Sequence, residues 1–344
     1  MKKLDEIIKG MNKKADEEVV SVGLHKYNRE RIPFTSPRMN YCTFGGLPVG
    51  KIIEFAGAEH GGKTTTALDI IANYQQMEGA RKVLYVDAEN TLDTEWAEKL
   101  GVNVEDLIIF NPTVQSAEEV FQFICDAVAS GEVGLWVLDS LPALSSQQEL
   151  DKDLTEKTYA GISAPLTVFS RKIEKLMHQQ NCTGIGINQV REDLNSSWGG
   201  TKTPGGRGWK HFCSVRLEFT KGKYIDENGN ELNMKAESPA GNFVLMSTVK
   251  SKYWPATRRT GFYTLMYDYG IDYLRDLIDL AIYQGIIVKT GAWYSIIDIE
   301  TGEVLEKFQG SAKVYEYLAD EANDKMLTAI EDKLDSMISG PSAV

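Results

Sequence analysis

The chain has 344 residues, of which 42% are hydrophobic and 25% charged, and this balance excludes a mostly disordered protein. Its four cysteines include no Cys-x-x-Cys pair, which excludes a disulfide scaffold and a zinc module and favours a reducing compartment. No apolar run approaches the roughly 20 residues that span a bilayer, and Asp5 and Glu6 interrupt the stretch that a signal peptide needs. We therefore expect a cytoplasmic protein with no membrane partner.

The net charge of −12 argues at first against a nucleic-acid partner, because Lys and Arg drive binding to phosphate. The charge is segregated along the chain, however. Residues 188–223 hold seven basic and three acidic residues, and residues 250–259 hold four basic residues and no acid. Residues 298–339 reverse the balance, with four bases and eleven acids. The sequence thus predicts separate basic and acidic surfaces.

Residues 1–34 are predicted to form an amino-terminal arm. Apolar residues recur at helical spacing from Leu4 to Met11, and a strand-like run follows from Val19 to Leu24. We divide the rest of the chain into a core at residues 35–270 and a small C-terminal domain at residues 271–344.

The core alternates strands with helices. Strands are predicted at Lys51–Phe55, Lys82–Asp87, Leu107–Phe110, Leu135–Asp139 and Thr183–Asn188. Helices are predicted at Lys63–Met77, from Asp93, at Ser116–Ala129 and up to Met177. Strands separated by helices favour an α/β fold with a mainly parallel sheet and right-handed crossovers.

Beyond Cys213 the pattern changes to strands joined by turns, and the DENGN segment at Asp226–Asn230 predicts a hairpin loop. We expect antiparallel strands there that extend the same sheet. From about Asp272, a helix, a short strand pair around Trp293 and Val304, and two further helices predict a small α+β domain.

Residues 57–64 read GAEHGGKT, which has the G-x-x-x-x-G-K-[ST] spacing of a P-loop. The motif follows an apolar strand and opens a helix, so backbone N–H groups and the positive helix end converge on an anion. Lys63 would reach the β- and γ-phosphates of a nucleotide, and the Thr64 hydroxyl would ligate Mg²⁺. A plain Gly-rich turn is the weaker alternative.

Three polar residues close other predicted strands. A Mg²⁺ site needs a carboxylate at the end of a neighbouring buried strand, and Asp139 supplies one, although such acids are often only caps. Hydrolysis needs a group that orients water from the end of a strand next to the P-loop strand. Glu89 is the candidate, and a surface acid that caps the following helix is the alternative. Gln189 would sense the γ-phosphate or only satisfy backbone groups.

An ordered set of motifs from Gly45 to Leu318 resembles the bacterial RecA family of DNA strand-exchange recombinases. The motifs are the P-loop, VDAENTLDTEWAEKLGV, LWVLDS, INQVR, a Gly-rich loop closing in Gly205-Gly206, KSK and GAWYS. The resemblance implies a RecA-like P-loop ATPase core that uses ATP and Mg²⁺. It covers most of the chain and is far more specific than a P-loop alone.

The resemblance also implies residue roles. Nucleotide binding falls on Gly57, Glu59, Gly61, Gly62, Lys63, Thr64, Thr65, Asp93, Trp96, Asp139 and Ser140. Thr64 and Asp139 would hold the metal, Glu89 would activate water, and Gln189 would couple nucleotide to DNA. Lys250 and Lys252 fall where a neighbouring subunit inserts two lysines toward the γ-phosphate, and a solvated strand end is their alternative. Lys210 and Arg216 fall at interface positions.

Two loops in the family line a groove for DNA, and the second corresponds here to Val190–Gly206. The implied DNA-binding residues are Arg171, Arg191, Trp198, Lys202, Gly205, Gly206 and Arg207. Basic side chains would contact phosphates, Trp198 would stack on a base or act as a wedge, and the glycines would let the backbone approach the strand. A loop that packs against a partner protein is the alternative.

The first family loop corresponds roughly to Leu150–Ala164 and departs from the family pattern. It carries Asp151, Asp153 and Glu156, and an arginine is missing at Ala164 or Pro165. The amino-terminal arm differs as well. These departures suggest a phage or mobile-element relative of the housekeeping recombinase.

The resemblance predicts an ATP-dependent recombinase that forms a helical filament on single-stranded DNA and pairs it with homologous duplex DNA. The arm would pack on the next subunit, with Val19, Val20 and Val22 as its strand, and a head-to-tail contact of this kind builds a helix. A single-strand-binding protein or a loader is a possible further partner. The alternatives are a ring helicase or motor of the same fold, and a nucleotide-gated filament that presents a surface to other proteins.

Overall fold

The computed structural model describes residues 4–15, 30–153, 161–192 and 201–338. The chain divides into two compact units, residues 1–30 and 31–344. In the first unit, helix α1 (Leu4–Ala15) carries acidic residues in its first turn and basic residues in its last turn. This order of charge stabilises a helix because it opposes the helix dipole. The predicted strand from Val19 to Leu24 lies outside the described residues.

The second unit opens with alternating strands and helices. In chain order these are β1 (Arg31–Ile32), α2 (Pro37–Thr43), β2 (Leu47–Pro48), β3 (Ile52–Gly57), α3 (Lys63–Gln75), β4 (Lys82–Asp87), α4 (Thr94–Lys99), β5 (Leu107–Phe110), α5 (Ala117–Ala129), β6 (Val133–Asp139), α6 (Gln147–Leu150), α7 (Ser163–Gln180) and β7 (Thr183–Gln189). The start of α5 is set by a reciprocal capping box between Ser116 and Glu119.

The remaining elements begin with two short strands inside the loop that starts at Val190. They are β8 (Arg191–Glu192), β9 (Thr201–Lys202), α8 (Gly206–Phe212), β10 (Val215–Ile225), β11 (Gly241–Ser251), β12 (Thr260–Met266), β13 (Gly270–Ile271), α9 (Tyr273–Tyr283), β14 (Ile287–Thr290), β15 (Trp293–Ile297), β16 (Val304–Gln309), α10 (Ser311–Ala319) and α11 (Asp324–Ile338). No helix in the described ranges is long and apolar enough to cross a membrane.

Nine strands form one sheet in the order β13-β12-β11-β10-β3-β7-β6-β4-β5. The pairs from β10 through β5 are parallel, and the pairs from β10 to β13 are antiparallel. The P-loop strand β3 therefore lies between β7 and β10. Because parallel strands end at the same edge of a sheet, the loops after β3, β4, β6 and β7 meet there.

Apolar side chains cover both faces of this sheet. In β3, Ile53 and Phe55 belong to the core cluster under α3, whereas Ile52 belongs to the cluster under α5 and α7. This alternation is the two-residue period of a strand. Glu54 shares the face of Ile52, where its carboxylate contacts Trp209.

The edge strand β5 is less covered than the strands inside the sheet. Ile108 and Ile109 are 41% and 39% exposed, and Phe123 of the adjacent helix α5 is also exposed. An exposed apolar edge strand offers unpaired backbone groups to another strand. β5 is thus a candidate surface for pairing with a further chain.

Arg258 joins the last helix to the rest of the second unit. Its guanidinium donates to the carbonyl oxygens of Met337 and Ile338, both at 3.0 Å, and to that of Tyr41 at 3.1 Å. It also lies over the rings of Tyr41 and Phe44. Two of the last four carbonyls of α11, which lack a helical N–H partner, are satisfied in this way.

The structure confirms the α/β core with a mainly parallel sheet, and the antiparallel strands after Cys213 extend that sheet as predicted. The DENGN turn is also confirmed, because the Asp226 N–H donates to the Asn230 carbonyl. One prediction was wrong: the small C-terminal region has three strands, not a pair. The missed strand β14 is four residues long and buries only Ile287, so it has no periodicity to detect.

Candidate functional site

The P-loop connects β3 to α3 and carries no side-chain cap. Helix α3 begins at Lys63 after Gly62, whose φ of 94° is a left-handed conformation. A Cβ at Gly62 would lie 2.7 Å from Val244, so only glycine fits there. The N–H groups of the first helical turn have no intrahelical acceptor and are available to an anion.

The Lys63 side chain is folded over this loop. Its Nζ donates to the Ala58 carbonyl at 2.6 Å, and the residue is only 8% exposed. Burial lowers the pKa of Lys63, and the carboxylates of Asp139, Glu89 and Glu59 partly offset that effect. An ammonium group held among carboxylates inside the loop is positioned to meet phosphate oxygens.

Thr64 and Asp139 meet at the start of α3. The Thr64 hydroxyl donates to Asp139 Oδ2 at 2.6 Å, and the Tyr85 hydroxyl donates to the same oxygen at 2.9 Å. Burial raises the pKa of Asp139, while these two hydrogen bonds and Lys63 act in the opposite direction. A hydroxyl oxygen beside a carboxylate is the kind of donor set that Mg²⁺ takes, together with phosphate oxygens and water.

Glu89 lies beside the P-loop, in the turn that follows β4. Its Oε1 accepts a hydrogen bond from the Ser140 hydroxyl and another from Gln189 Nε2 at 3.4 Å. The predicted water-orienting acid, the predicted γ-phosphate sensor and a predicted nucleotide-binding serine are thus in mutual contact. The structure brings these predicted residues together with Lys63 and Asp139.

Glu89 and Asp139 were expected to follow strands that neighbour the P-loop strand β3, and this expectation was wrong. β4 is three positions from β3 in the sheet, with β7 and β6 between them, and the strand of Asp139 is two positions away. The neighbours of β3 are β10 and β7, and β7 ends in Gln189. Glu89 comes near the P-loop because it lies beyond its strand and its side chain is held by Ser140 and Gln189.

Asp93 and Trp96, the predicted adenine contacts, open helix α4. Asp93 Oδ1 accepts the Trp96 N–H at 3.0 Å, so Asp93 is the N-cap of this helix. Asp93 therefore occupies the cap position of this helix, which was the alternative role considered for Glu89. Trp96 packs at the margin of the core cluster under α3 and is half-buried.

A cleft of about 410 Å³ opens on the other side of the P-loop. Its lining includes Lys221, Asn242 and Tyr267, and the Tyr267 hydroxyl donates to Asn242 Oδ1 at 2.8 Å. These residues were not expected from the sequence, because Lys221 and Asn242 lie in antiparallel strands and Tyr267 in the turn after β12, with no motif in any of the three segments. Their proximity to the P-loop depends on β10 pairing with β3.

The predicted interface residues make contacts within the chain. Lys250 Nζ donates to the carbonyls of Lys210 and His211, at 2.8 Å and 3.0 Å, at the C-terminal end of α8. Burial lowers the pKa of Lys250, and Lys252 lowers it further. Lys252 follows the end of β11 and is exposed, and Arg216 forms an ion pair with buried Glu54.

The predicted DNA-binding residues fall in three groups. Arg171 and Arg207 are exposed on α7 and α8. Arg191 and Lys202 are backbone partners in the β8–β9 pair, and Trp198 lies outside the described residues. Of the predicted first loop, Asp151 and Asp153 are exposed, and Glu156 lies outside the described residues.

Gly205 and Gly206 have a structural role in the turn before α8. Gly205 precedes α8 with a φ of 95°, and a Cβ there would lie 2.8 Å from Leu166. The pair therefore allows the turn by which the second loop enters α8. Their predicted contact with DNA stays a prediction.

Glu54 is the main residue of this region that was not expected from the sequence. It is fully buried and accepts hydrogen bonds from Asn188, Trp209 and Arg216. The available signal was a lone acid in the otherwise apolar segment IIEFAG, because a buried charge requires partners.

Family profiles match nearly the whole chain. The RecA N-terminal domain matches residues 2–272, and the RecA C-terminal domain matches residues 275–339. Protein RecA of Paracoccus denitrificans is 35% identical over 84% of this chain and 76% of its own length. Protein RecA of Ruminococcus albus is 33% identical over 89% and 72%, and that of Clostridium perfringens is 33% identical over 87% and 79%. The chain belongs to the RecA family.

Proposed function

We propose that this protein is an ATP-dependent DNA recombinase that assembles on single-stranded DNA, pairs it with homologous duplex DNA and hydrolyses ATP. The observation that carries the proposal is the convergence of Lys63, Thr64, Asp139, Glu89 and Gln189 at one edge of the sheet. Family membership supports both the ATPase activity and the recombinase activity.

We assign the nucleotide's phosphates to the N–H groups of residues 58–65 and to Lys63. The folded position of Lys63 over Ala58 supports this, because a phosphate oxygen can replace the carbonyl as its partner. Asp93 and Trp96 would border the adenine. Thr64 and Asp139 would hold Mg²⁺, whose charge would stabilise the developing charge on the phosphate oxygens. The adjacent hydroxyl and carboxylate oxygens fit that ion.

Glu89 would orient and deprotonate the attacking water. Ser140 and Gln189 hold its Oε1, which leaves the other carboxylate oxygen to accept a proton. Gln189 would contact the γ-phosphate when nucleotide is bound and so pass the state of the site to the loop that follows. Lys250 and Lys252 of a neighbouring subunit would add positive charge at the transition state.

We propose that single-stranded DNA lies along the second loop, at residues 190–206, with Arg171 and Arg207 on its flank. Both arginines are exposed, as a phosphate contact requires. Such contacts do not read bases, so recognition of homology would come from base pairing and the protein itself would be nearly sequence-neutral.

A filament would form by head-to-tail contact between subunits. The exposed edge strand β5 supports this, because it offers a pairing surface to an extended segment of another chain. The segment from Val19 to Leu24 of the neighbouring subunit is the proposed occupant. A single-strand-binding protein or loader, and a cytoplasmic location, also belong to this proposal.

The decisive experiment measures ATP turnover with and without oligo-deoxythymidine, followed by joint-molecule formation from circular single strands and linear duplex. A recombinase gives DNA-stimulated turnover and joint molecules. Closed rings with strand-unwinding activity would instead identify a helicase or motor. Filaments that hydrolyse ATP without forming joints would identify a scaffold that presents a surface to other proteins.

A further inference from the structure

Glu54 is a charged residue buried under the second loop. It lies in the middle of β3 and is 0% exposed. Both of its carboxylate oxygens accept hydrogen bonds from neighbouring side chains. Oε1 accepts from Asn188 Nδ2 and from the Trp209 indole N–H, both at 2.9 Å, and Oε2 accepts from Arg216 Nε. Arg216 compensates the charge of this carboxylate, and the two neutral donors satisfy its other oxygen, so that Glu54 is held in place within the sheet.

The donors around Glu54 come from both ends of the second loop. Asn188 directly precedes Gln189 at the end of β7, and Trp209 lies in α8, just after the loop. Asn188 Nδ2 also donates to the Pro204 carbonyl at 3.0 Å, and Arg216 Nη2 donates to the Thr203 hydroxyl at 3.4 Å. The beginning and the end of the loop therefore share one buried anchor.

The position of Glu54 in the sheet explains this arrangement. Glu54 pairs with Gly186 of β7 on one side and with Arg216 of β10 on the other. A Cβ at Gly186 would lie 2.5 Å from the Trp209 ring, so α8 packs directly on β7. The P-loop strand thus carries an acid between the strand that leads into the loop and the helix that leaves it.

Asn188 is the least satisfied member of this group. Its Nδ2 has two acceptors, but its buried Oδ1 has no hydrogen-bond partner among the described residues. An unsatisfied buried acceptor raises the energy of this arrangement and lowers the cost of exchanging it for another. Asn188 is therefore the member through which movement at Gln189 can reach Pro204.

We propose that Asn188 and Glu54 are positioning residues that transmit nucleotide binding to the far end of the DNA-binding loop. This inference rests on the proposed function. Gln189 alone would control only the residue that follows it, whereas the Asn188 link to Pro204 moves the loop's other end with it. A change in the position of Asn188 would therefore reach both the start of the loop, at Gln189, and its end, at Pro204.

Asn188→Ala removes the link and leaves Lys63, Thr64, Glu89 and Asp139 in place. The matched control is Thr183→Ala, because Thr183 is also buried in β7 and its hydroxyl accepts a hydrogen bond from the Gly50 N–H, at the opposite end of the strand from Asn188. For each protein, affinity for a fluorescent oligo-deoxythymidine is measured with and without a non-hydrolysable ATP analogue. Affinity for the analogue alone is measured as well.

In wild type the analogue should raise DNA affinity, and Asn188→Ala should reduce that gain about fivefold or more, within the usual range of coupling between sites. Analogue affinity should stay within about twofold, and Thr183→Ala should behave as wild type. If the analogue raised the DNA affinity of Asn188→Ala as much as that of wild type, the inference would be overturned and the proposed function would stand. If the analogue left the DNA affinity of the wild-type protein unchanged, the proposed function itself would be rejected.

Hydrogen exchange on the wild-type protein tests the inference without a variant, in case Asn188→Ala fails to fold. Binding of the analogue should slow exchange of the backbone amides at residues 203 and 205–209 as well as at 188–190. Protection confined to 188–190 would show that the far end of the loop does not respond, and the proposed link would be wrong.

Discussion

At the scale of single residues, the role proposed for Glu89 can be tested apart from nucleotide binding. Glu89→Gln keeps the shape of the side chain and an oxygen for Ser140, but it removes the carboxylate that would act as the base. We expect ATP turnover to fall by about 100-fold or more, as for loss of a general base, with analogue affinity within about threefold. Glu98→Gln, an exposed glutamate on α4, is the control and should turn over as wild type. Turnover retained in Glu89→Gln would place the base elsewhere.

A second residue-scale prediction concerns buried Asp276 of α9. The side chain is fully buried and accepts the Thr264 N–H, and burial raises its pKa to about 8. Its pKa in the unfolded chain is about 4, so the folded state binds the proton more tightly. The contribution of Asp276 to stability is therefore full below about pH 4 and is lost as the pH rises toward 8.

Asp276→Asn removes this titration and keeps an acceptor for Thr264. We expect the variant to gain stability relative to wild type between pH 5 and pH 8, by on the order of 2–4 kcal/mol. Urea unfolding at the two pH values measures the difference. A difference between wild type and Asp276→Asn that does not change with pH would contradict the prediction.

At the scale of elements, the proposed role of the edge strand β5 in assembly can be tested with one substitution. Ile109→Lys places a charge on the exposed edge without disturbing the core, because Ile109 is already 39% exposed. We expect filaments on single-stranded DNA to be lost or shortened in electron micrographs, with an unchanged melting temperature. Val114→Lys, at a more exposed position beyond the strand, should form normal filaments. Normal filaments of Ile109→Lys would exclude β5 from the contact.

The elements also show how far sequence reasoning reaches. The P-loop, the central strands and the cap of α5 were predictable because each depends on local pattern: spacing, apolar runs and a Ser-x-x-Glu box. The order of the strands in the sheet was not predictable, because strand pairing is set by contacts between residues that are distant in sequence. That is why Glu89 was expected beside the P-loop strand, and why the partners of Glu54, which lie 134 to 162 residues away, were missed.

At the scale of the whole molecule, Arg258 holds the C-terminal helix. Arg258→Ala removes three hydrogen bonds to carbonyls and the contacts over two rings. We expect a loss of stability on the order of 2 kcal/mol and faster proteolysis within α11, because a charged donor to carbonyls contributes that much. Arg259→Ala, the exposed neighbour, is the control. Equal proteolysis of both variants would show that α11 is held by apolar packing alone.

The exposed edge of β5 has a consequence for how a polymer of this protein grows. If one copy's arm occupies the next copy's edge, the two ends of the polymer are chemically different: one displays an unused arm and the other an unused edge. Subunits can then join and leave at unequal rates at the two ends. A copy lacking residues 1–30 could be added only where its own edge accepts an arm, and once there it would terminate growth in that direction.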